Sequence, residues 1–441
     1  MNINKIVFAV LGAIIVFLIV MLVIQLNRGA SPNQVQRQGG DFNIWILEES
    51  RSNFEKIIRD FKDAFPKYSN TSIGIESFQD RNVYHKSITS ALGLGIAPDI
   101  FMLNNTEFSP LQNHINGIAP SVVSPSDFRR DFHPVFADDL IVRIEEESLD
   151  ILAGVPVGYQ TPALFYNRRN FPRSSELLDW GRLNIEMLSV AERGNIIPIA
   201  LGDGTTITRA EGIIQSFLAQ EGVSNINEVQ NTHTRQAFSQ YRSLGLIGTQ
   251  NYIELTSNSF GDTDIDYFTQ GSVAAMIGYP KDLMTIADIG YQSNMLFVTP
   301  FPVSEGNKNA IAIDYDYFVI QKNTGNLTLA EDFMSYLVSE RGQREFIEHF
   351  SHYIPAHSGL AIELEENNVH PSFNVVYRNF ISDQTELVSF NVLSHEMFSR
   401  GLRDILNREN GFDSSFQVLK GRIICSVRKF RDFENLSTMC R

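Results

Sequence analysis

DFNIWILEESRSNFEKIIRDFKDAFPKYSNTSIGIESFQDRNVYHKSITSALGLGIAPDIFML, residues 41–103, decides the fold. Asp41 to Leu47 is apolar and rich in strand formers, and it ends in the polar turn Glu48-Glu49-Ser50. From Ser52, Phe54, Ile57, Ile58, Phe61 and Phe65 recur at helical spacing on one face until Pro66 stops the pattern. Thr71 to Phe78 is a second strand, Asn82 to Leu94 a second helix closed by glycine, and Asp99 to Leu103 (DIFML) a third, buried strand. Strand, helix, strand, helix, strand at this spacing predicts a parallel sheet with helices on its faces. In such sheets ligands bind beyond the carboxyl ends of the strands. That rule singles out Glu48-Glu49-Ser50 and Asn104-Asn105-Thr106. Both loops can hydrogen-bond a polyol, and for any one of these residues taken alone helix capping is the leading reading.

Downstream the same grammar repeats. Ala163 to Asn167 (ALFYN), Ile196 to Leu201 (IIPIAL), Ser272 to Ile277 (SVAAMI), Leu296 to Pro302 and Ile311 to Gln321 read as strands. Leu329 to Leu337 reads as a helix. A chain of 441 residues exceeds what one core organises, so two lobes are expected. The apolar fraction of 43% and charged fraction of 20% are those of a globular protein. A formal net charge of −15 argues against a nucleic-acid groove, which needs surplus Lys and Arg.

Upstream, Ile6 to Leu26 is an unbroken uncharged run. At about 1.5 Å per residue it spans roughly 31 Å, close to the bilayer core. It is long for a secretory signal, Asn27-Arg28-Gly29-Ala30-Ser31 is a poor cleavage site, and no cysteine follows to carry a lipid. We read it as one uncleaved membrane anchor, with a cleaved signal as the alternative; residues 27–40 form a polar tether. Lys5 on one side and Arg28 and Arg37 on the other leave the orientation open.

The order of segments resembles the family 1 extracellular solute-binding proteins of ABC importers, the group of maltose- and multiple-sugar-binding proteins. The matching pieces are GIAPDIF (95–101), GVPVGYQTPALFYN (154–167), DYFTQGSVAAMIGYP (266–280), VTPFP (298–302), AEDFMSYLVSERGQREF (330–346) and YIPAHS (353–358). Each is weak alone; six in order, from about Asp41 to about Phe430, carry the likeness. The resemblance implies a two-lobed α/β periplasmic-binding-protein fold of type II, hinged, behind a single N-terminal transmembrane helix. Residues 1–40 would be anchor and linker, 41–157 with 303–348 the N-terminal lobe, and 162–298 with 350–441 the C-terminal lobe. Crossings are expected at Val157–Thr161, 298–302 and 349–355.

Carried over by position, the family's ligand contacts fall on Glu48, Glu49, Asn104, Asn105, Tyr159, Gln160, Asp203, Tyr279, Asp314, Tyr315 and Asp316. Aromatic faces suit the apolar side of a sugar ring, and carboxylates and amides suit its hydroxyls. Tyr279 is the leading stacking candidate, against packing at a strand end. Where many family members carry a glycine-rich stretch, this chain has Ile313-Asp314-Tyr315-Asp316-Tyr317, so its pocket departs from that of a standard sugar binder.

The implied function is capture of a carbohydrate or related polar solute and its delivery to ABC permease subunits, by a monomer tethered through Ile6–Leu26 with its body outside the membrane. The alternatives are a surface sensor or adhesin on the same fold without a transporter, and a carbohydrate-active enzyme. No cofactor and no catalytic residue is expected: the chain has no phosphate loop, dinucleotide fingerprint or nucleophile elbow. His349, His352 and His357 lack ligand spacing for a metal. Asp262, Asp264 and Asp266 start like a calcium loop, but Tyr267 and Val273 stand where it needs glycine and glutamate, so an acidic first helical turn explains them better. A disulfide between Cys425 and Cys440 is open.

Overall fold

A computed structural model describes residues 42–105, 111–144, 149–171, 179–194, 196–201, 207, 210–224, 231–257, 263–291, 295–367, 385–390, 395–406 and 411–431. The Ile6–Leu26 run, Asp203 and Cys440 lie outside the described residues, as does the Cys425 side chain. Among the described residues no helix is long and apolar enough to cross a membrane.

The chain opens with β1 (Phe42–Leu47), α1 (Arg51–Ala64), β2 (Ile73–Phe78), α2 (Arg81–Leu94) and β3 (Ile100–Asn104), the alternation expected for residues 41–103. β1 runs parallel to both β2 and β3. Ser50 and Asp80 cap the two helices, accepting from the backbone N–H of Asn53 and Val83 and so satisfying donors that have no partner within the helix. α2 ends where Gly95 takes the left-handed conformation at φ 70°, which leaves the chain free to turn back into β3. On α1 the predicted stripe of Phe54, Ile57, Ile58 and Phe61 is buried. Each such side chain removed from water contributes about 1.5–3 kcal/mol.

β4 (Ile115–Asn116), α3 (Pro125–Asp131), α4 (Pro134–Leu140) and the hairpin β5 (Ile141–Ile144)–β6 (Leu149–Leu152) lead to β7 (Val155–Gln160) and β8 (Ala163–Asn167). Next come α5 (Trp180–Glu192), α6 (Ala210–Gln220), α7 (Thr232–Ser257), α8 (Asp264–Thr269), β9 (Ala275–Gly278), α9 (Pro280–Asp288) and β10 (Leu296–Pro300). β11 (Ala310–Ala312), β12 (Asp314–Gln321), α10 (Leu327–Val338), α11 (Glu340–His349), β13 (Ile354–Pro355), α12 (Ser358–Asn367), β14 (Glu386–Val388), α13 (His395–Leu406) and α14 (Phe412–Arg431) complete the chain.

These strands build two principal sheets. The first has the order β13-β7-β12-β3-β1-β2, with β4 also on β12; the second is β10-β8-β9. β7 and β8 belong to different sheets, and only Thr161 and Pro162 separate them. The return is longer. After β10 the chain follows α6, where Pro302 O accepts from Gln220 Nε2 and Ala312 N donates to Ser216 Oγ, and it joins the first sheet only at β12. The chain leaves the second sheet at Pro300, pairs with β14 through β11, and enters the first sheet at Asp314. β13 pairs with β7 at the edge of the first sheet.

Residues 196–201 run beside β9 through isolated parallel bridges, Ile197 to Val273 and Ala200 to Met276, rather than as a continuous strand. β3 and β7 are buried on both faces.

Candidate functional site

The carboxyl ends of β1 and β3 lie at one end of the first sheet. β12 runs antiparallel to β3 and β7 antiparallel to β12, so the start of β12 and the end of β7 arrive at that same end. Asp314 is paired with Gln160 and Asp316 with Asn104. Four segments far apart in sequence thus converge, and Glu48, Glu49, Asn104, Asn105, Gln160, Asp314 and Asp316 come together.

Asn104 is the centre of the cluster. Its Nδ2 donates to Asp314 Oδ1 at 2.6 Å and to Asp316 Oδ1 at 3.1 Å. Asp316 Oδ2 accepts from the Tyr353 hydroxyl at 3.2 Å, and the same hydroxyl lies 2.8 Å from Glu49 Oε1. His352 Nε2 stands 3.3 Å from that Glu49 oxygen. The Glu49 carbonyl accepts from Ser77 Oγ at 2.7 Å, which fixes the loop after β1 to the end of β2. Burial, with Asp314 and Glu48 close by, pushes the Asp316 carboxyl up to about 7, opposed by Arg81 and by the hydrogen bond from Asn104. Burial also raises the Tyr353 hydroxyl well above its ordinary range, helped by the Glu49 and Asp316 charges.

Glu48 has φ 55° and is, among the described residues, the one non-glycine residue with positive φ. A side chain held there costs on the order of 1–3 kcal/mol and persists only where neighbours fix it. The neighbours are visible. Glu48 N donates to Phe78 O at 2.7 Å, Arg81 Nε stands 3.5 Å from its carboxylate, and Lys281 Nζ donates to its carbonyl oxygen at 3.1 Å. Lys281 belongs to α9, which follows a strand of the second sheet, so this contact spans the two lobes. The Lys281 backbone N–H also donates to Gln160 Oε1 at 3.3 Å.

The other candidates take different places. Tyr159 and Tyr315 are cross-strand partners packed on Phe136, at 5.7 and 4.9 Å between ring centroids, and both are buried beneath the polar cluster. The Tyr315 hydroxyl donates to Asp139 Oδ2 at 2.8 Å, and burial raises both groups. Asn105 Nδ2 donates to Ser389 Oγ and to Ile313 O, so it ties segments together. Tyr279 is only 1% exposed; it caps α9, its backbone N–H donating to Asp282, and its hydroxyl sits where a Cβ on residue 212 would be, against Gly212.

The three histidines are dispersed: His349 lies 3.0 Å from Asp60, His352 is on Glu49, and His357 Nδ1 accepts from Leu360 N. Among the described residues no group of three His, Cys, Asp or Glu is placed to hold a metal. Asp264 and Asp266 sit in the first turn of α8, where Asp266 forms a capping box with Thr263. Sequence reasoning missed Arg81, Asp139, Lys281 and Tyr353 as parts of the site. Lys281 directly follows the Gly278-Tyr279-Pro280 motif and Tyr353 opens the YIPAHS motif, which were the available signals; Arg81 and Asp139 carried none.

A family profile described as bacterial extracellular solute-binding protein matches residues 97–368, more than half of the chain. The chain belongs to this family. No curated protein sequence matches it significantly. The fold of this solute-binding protein is similar to that of the sugar-binding protein MalE of Xanthomonas citri, at 16% identity over 89% of this chain and 100% of the other, with TM-score 0.69. It is similar to an ABC transporter solute-binding protein of Thermotoga lettingae bound with α-D-tagatose, at 15% identity over 87% and 98%, with TM-score 0.66. It is also similar to the GacH receptor of Streptomyces glaucescens, solved unliganded and with acarbose, at 15% identity over 89% and 99%, with TM-score 0.65. These likenesses give this solute-binding protein the two-lobed α/β fold, and its family is one of binding proteins rather than enzymes.

Proposed function

We propose that this chain is a membrane-tethered extracellular solute-binding protein that captures a carbohydrate or related polar solute between its lobes and delivers it to an ABC permease. The observation that carries the reading is the convergence of Glu48, Glu49, Asn104, Gln160, Asp314 and Asp316 at the carboxyl end of the first sheet, facing α9 of the second lobe. Carboxylates and amides held at one sheet end supply acceptors and donors for several hydroxyls at once. Closing the second lobe over that end would remove the solute from water by domain motion rather than by chemistry. The similar proteins solved with tagatose and acarbose support the carbohydrate class. The Ile6–Leu26 run would supply the tether, and family membership supports a body outside the membrane. The lobe boundaries proposed are those of the expectation, with the second crossing between Pro300 and Asp314.

A thermal-shift screen against mono- and oligosaccharides, polyols and phosphorylated glycerols tests the ligand class. A ligand of the folded state raises the melting temperature as its concentration rises, by about 2.7 kcal/mol of added stability at a hundredfold its Kd. A flat response across the panel would remove the carbohydrate reading. Failure of the tethered, loaded protein to stimulate permease ATPase would remove the importer role and favour a sensor.

A further inference from the structure

Lys281 occupies an unfavourable place for a cation. It lies in the first turn of α9, where the helix dipole presents its positive end and a lysine is disfavoured. Its ammonium instead reaches the first lobe, 3.1 Å from the Glu48 carbonyl oxygen and 3.7 Å from the Glu48 carboxylate. Glu48, in turn, holds a left-handed backbone at φ 55°. The Lys281 backbone N–H is fixed by Gln160 at the end of β7, so the root of the side chain is anchored at the crossing between lobes. Two locally disfavoured features, a cation at a helix N-terminus and a non-glycine residue at positive φ, face one another across the cleft.

We propose that Lys281 and the Glu48 turn form an interlobe latch that holds the lobes together before any solute arrives. Arg81, 3.5 Å from Glu48 on the same lobe, is the second cation of the latch. It keeps the Glu48 carboxylate in place but crosses no lobe boundary. The part of the latch that joins the lobes is the charge-assisted hydrogen bond from Lys281 Nζ to a backbone carbonyl, supported by an ion pair whose side chains are each 31% exposed. A contact of that kind shifts a closed-to-open ratio severalfold, to about tenfold at most. The latch would set the fraction of closed protein and hence the apparent affinity, because solute that binds the closed form gains from a population already there.

The proposal rests on the two-lobed solute-binding reading but needs no solute to test it. The experiment is hydrogen–deuterium exchange of the full chain in detergent micelles, comparing wild type with Lys281→Met, Lys281→Arg and Glu48→Gln. Lys281→Met keeps the length and apolar stem of the side chain and removes the charge. The expected result is exchange faster by severalfold at Leu47–Ser52, across the cleft from the substitution, with β3 and β8 unchanged. Lys281→Arg restores the wild-type rate. Glu48→Gln has a smaller effect, since the carbonyl contact remains. Unchanged exchange at Leu47–Ser52 in Lys281→Met overturns the latch, as does a rise confined to α9 itself. A rise that extends into β3 and β8 reports loss of folding and likewise overturns it. None of these outcomes bears on the carbohydrate screen.

Discussion

Replacing Asp316 with Asn is the sharpest test of the polar cluster, because the carboxylate there is held against its own ionisation. Burial and the neighbouring Asp314 and Glu48 push it up to about 7, from an ordinary value near 4. Below about pH 4 the folded and unfolded chains both carry the proton. Between about 4 and 7 the folded chain keeps it and the unfolded chain releases it, so stability falls as pH rises. Above about 7 both have lost it and the loss is complete. The interval is roughly three pH units, and at about 1.4 kcal/mol per unit the folded state has given up about 4 kcal/mol at pH 8.

Asn at the same position cannot ionise. Its Oδ1 still accepts from Asn104 Nδ2, and its amide N–H can reach the Tyr353 hydroxyl that now lies 3.2 Å from Asp316 Oδ2. Only the attraction to Arg81 is lost. Urea unfolding in a Trp180→Phe background leaves Trp45 of β1 as the reporter for this lobe, since the chain has two tryptophans, one beside each sheet. From pH 5 to pH 8 the stability of Asp316→Asn relative to wild type should grow by about 3 kcal/mol, two of the three pH units. A difference that stays constant with pH, or that turns against Asn above pH 7, would refute the reasoning. The carboxylate would then be ionised at little expense, stabilised by Arg81.

Three further outcomes follow from packing and hydrogen bonding. Gly158→Ala should destabilise by about 1–3 kcal/mol in the same assay, because its Cβ would stand 2.5 Å from Tyr353 Cβ and 3.0 Å from Ile354 O, forcing β13 off β7 at the lobe crossing. Tyr315→Phe leaves Asp139 without its 2.8 Å donor in a mostly buried site and should lower stability by about 1–3 kcal/mol, more at pH 8 than at pH 5, where Asp139 is nearer its protonated form; urea midpoints at the two pH values check it. Gln343→Leu removes the donor to both Pro156 O and Leu337 O, at 2.9 and 2.8 Å, from a fully buried position; about 1–3 kcal/mol per orphaned carbonyl should be lost, read as a shift of the urea midpoint with an unchanged slope.

Residues 41–103 by themselves determined the parallel start of the first sheet. Apolar runs of five to seven residues alternating with a helical stripe leave one way to bury both. The polar loops after β1 and β3 were legible for the same reason: strand ends in such a sheet share an edge, so Glu48, Glu49, Asn104 and Asn105 had to be neighbours. The family signal in six short motifs carried the two-lobed α/β fold, because strand-end packing constrains residue type at those points.

What the tertiary structure decided is which polar groups face one another and which tyrosines are buried. Tyr279 packs its hydroxyl against Gly212, and Tyr159 and Tyr315 pack on Phe136, contacts that no spacing along the chain announces. Lys281 and Arg81 were ordinary surface cations until α9 and α2 brought them to the Glu48 carboxylate. Spacing along the chain fixes which face a residue takes on its own element. Which element lies opposite, and therefore the charge, hydrogen-bond partner and dielectric each side chain meets, is set by contacts between segments hundreds of residues apart, as between Asn104 and Asp314.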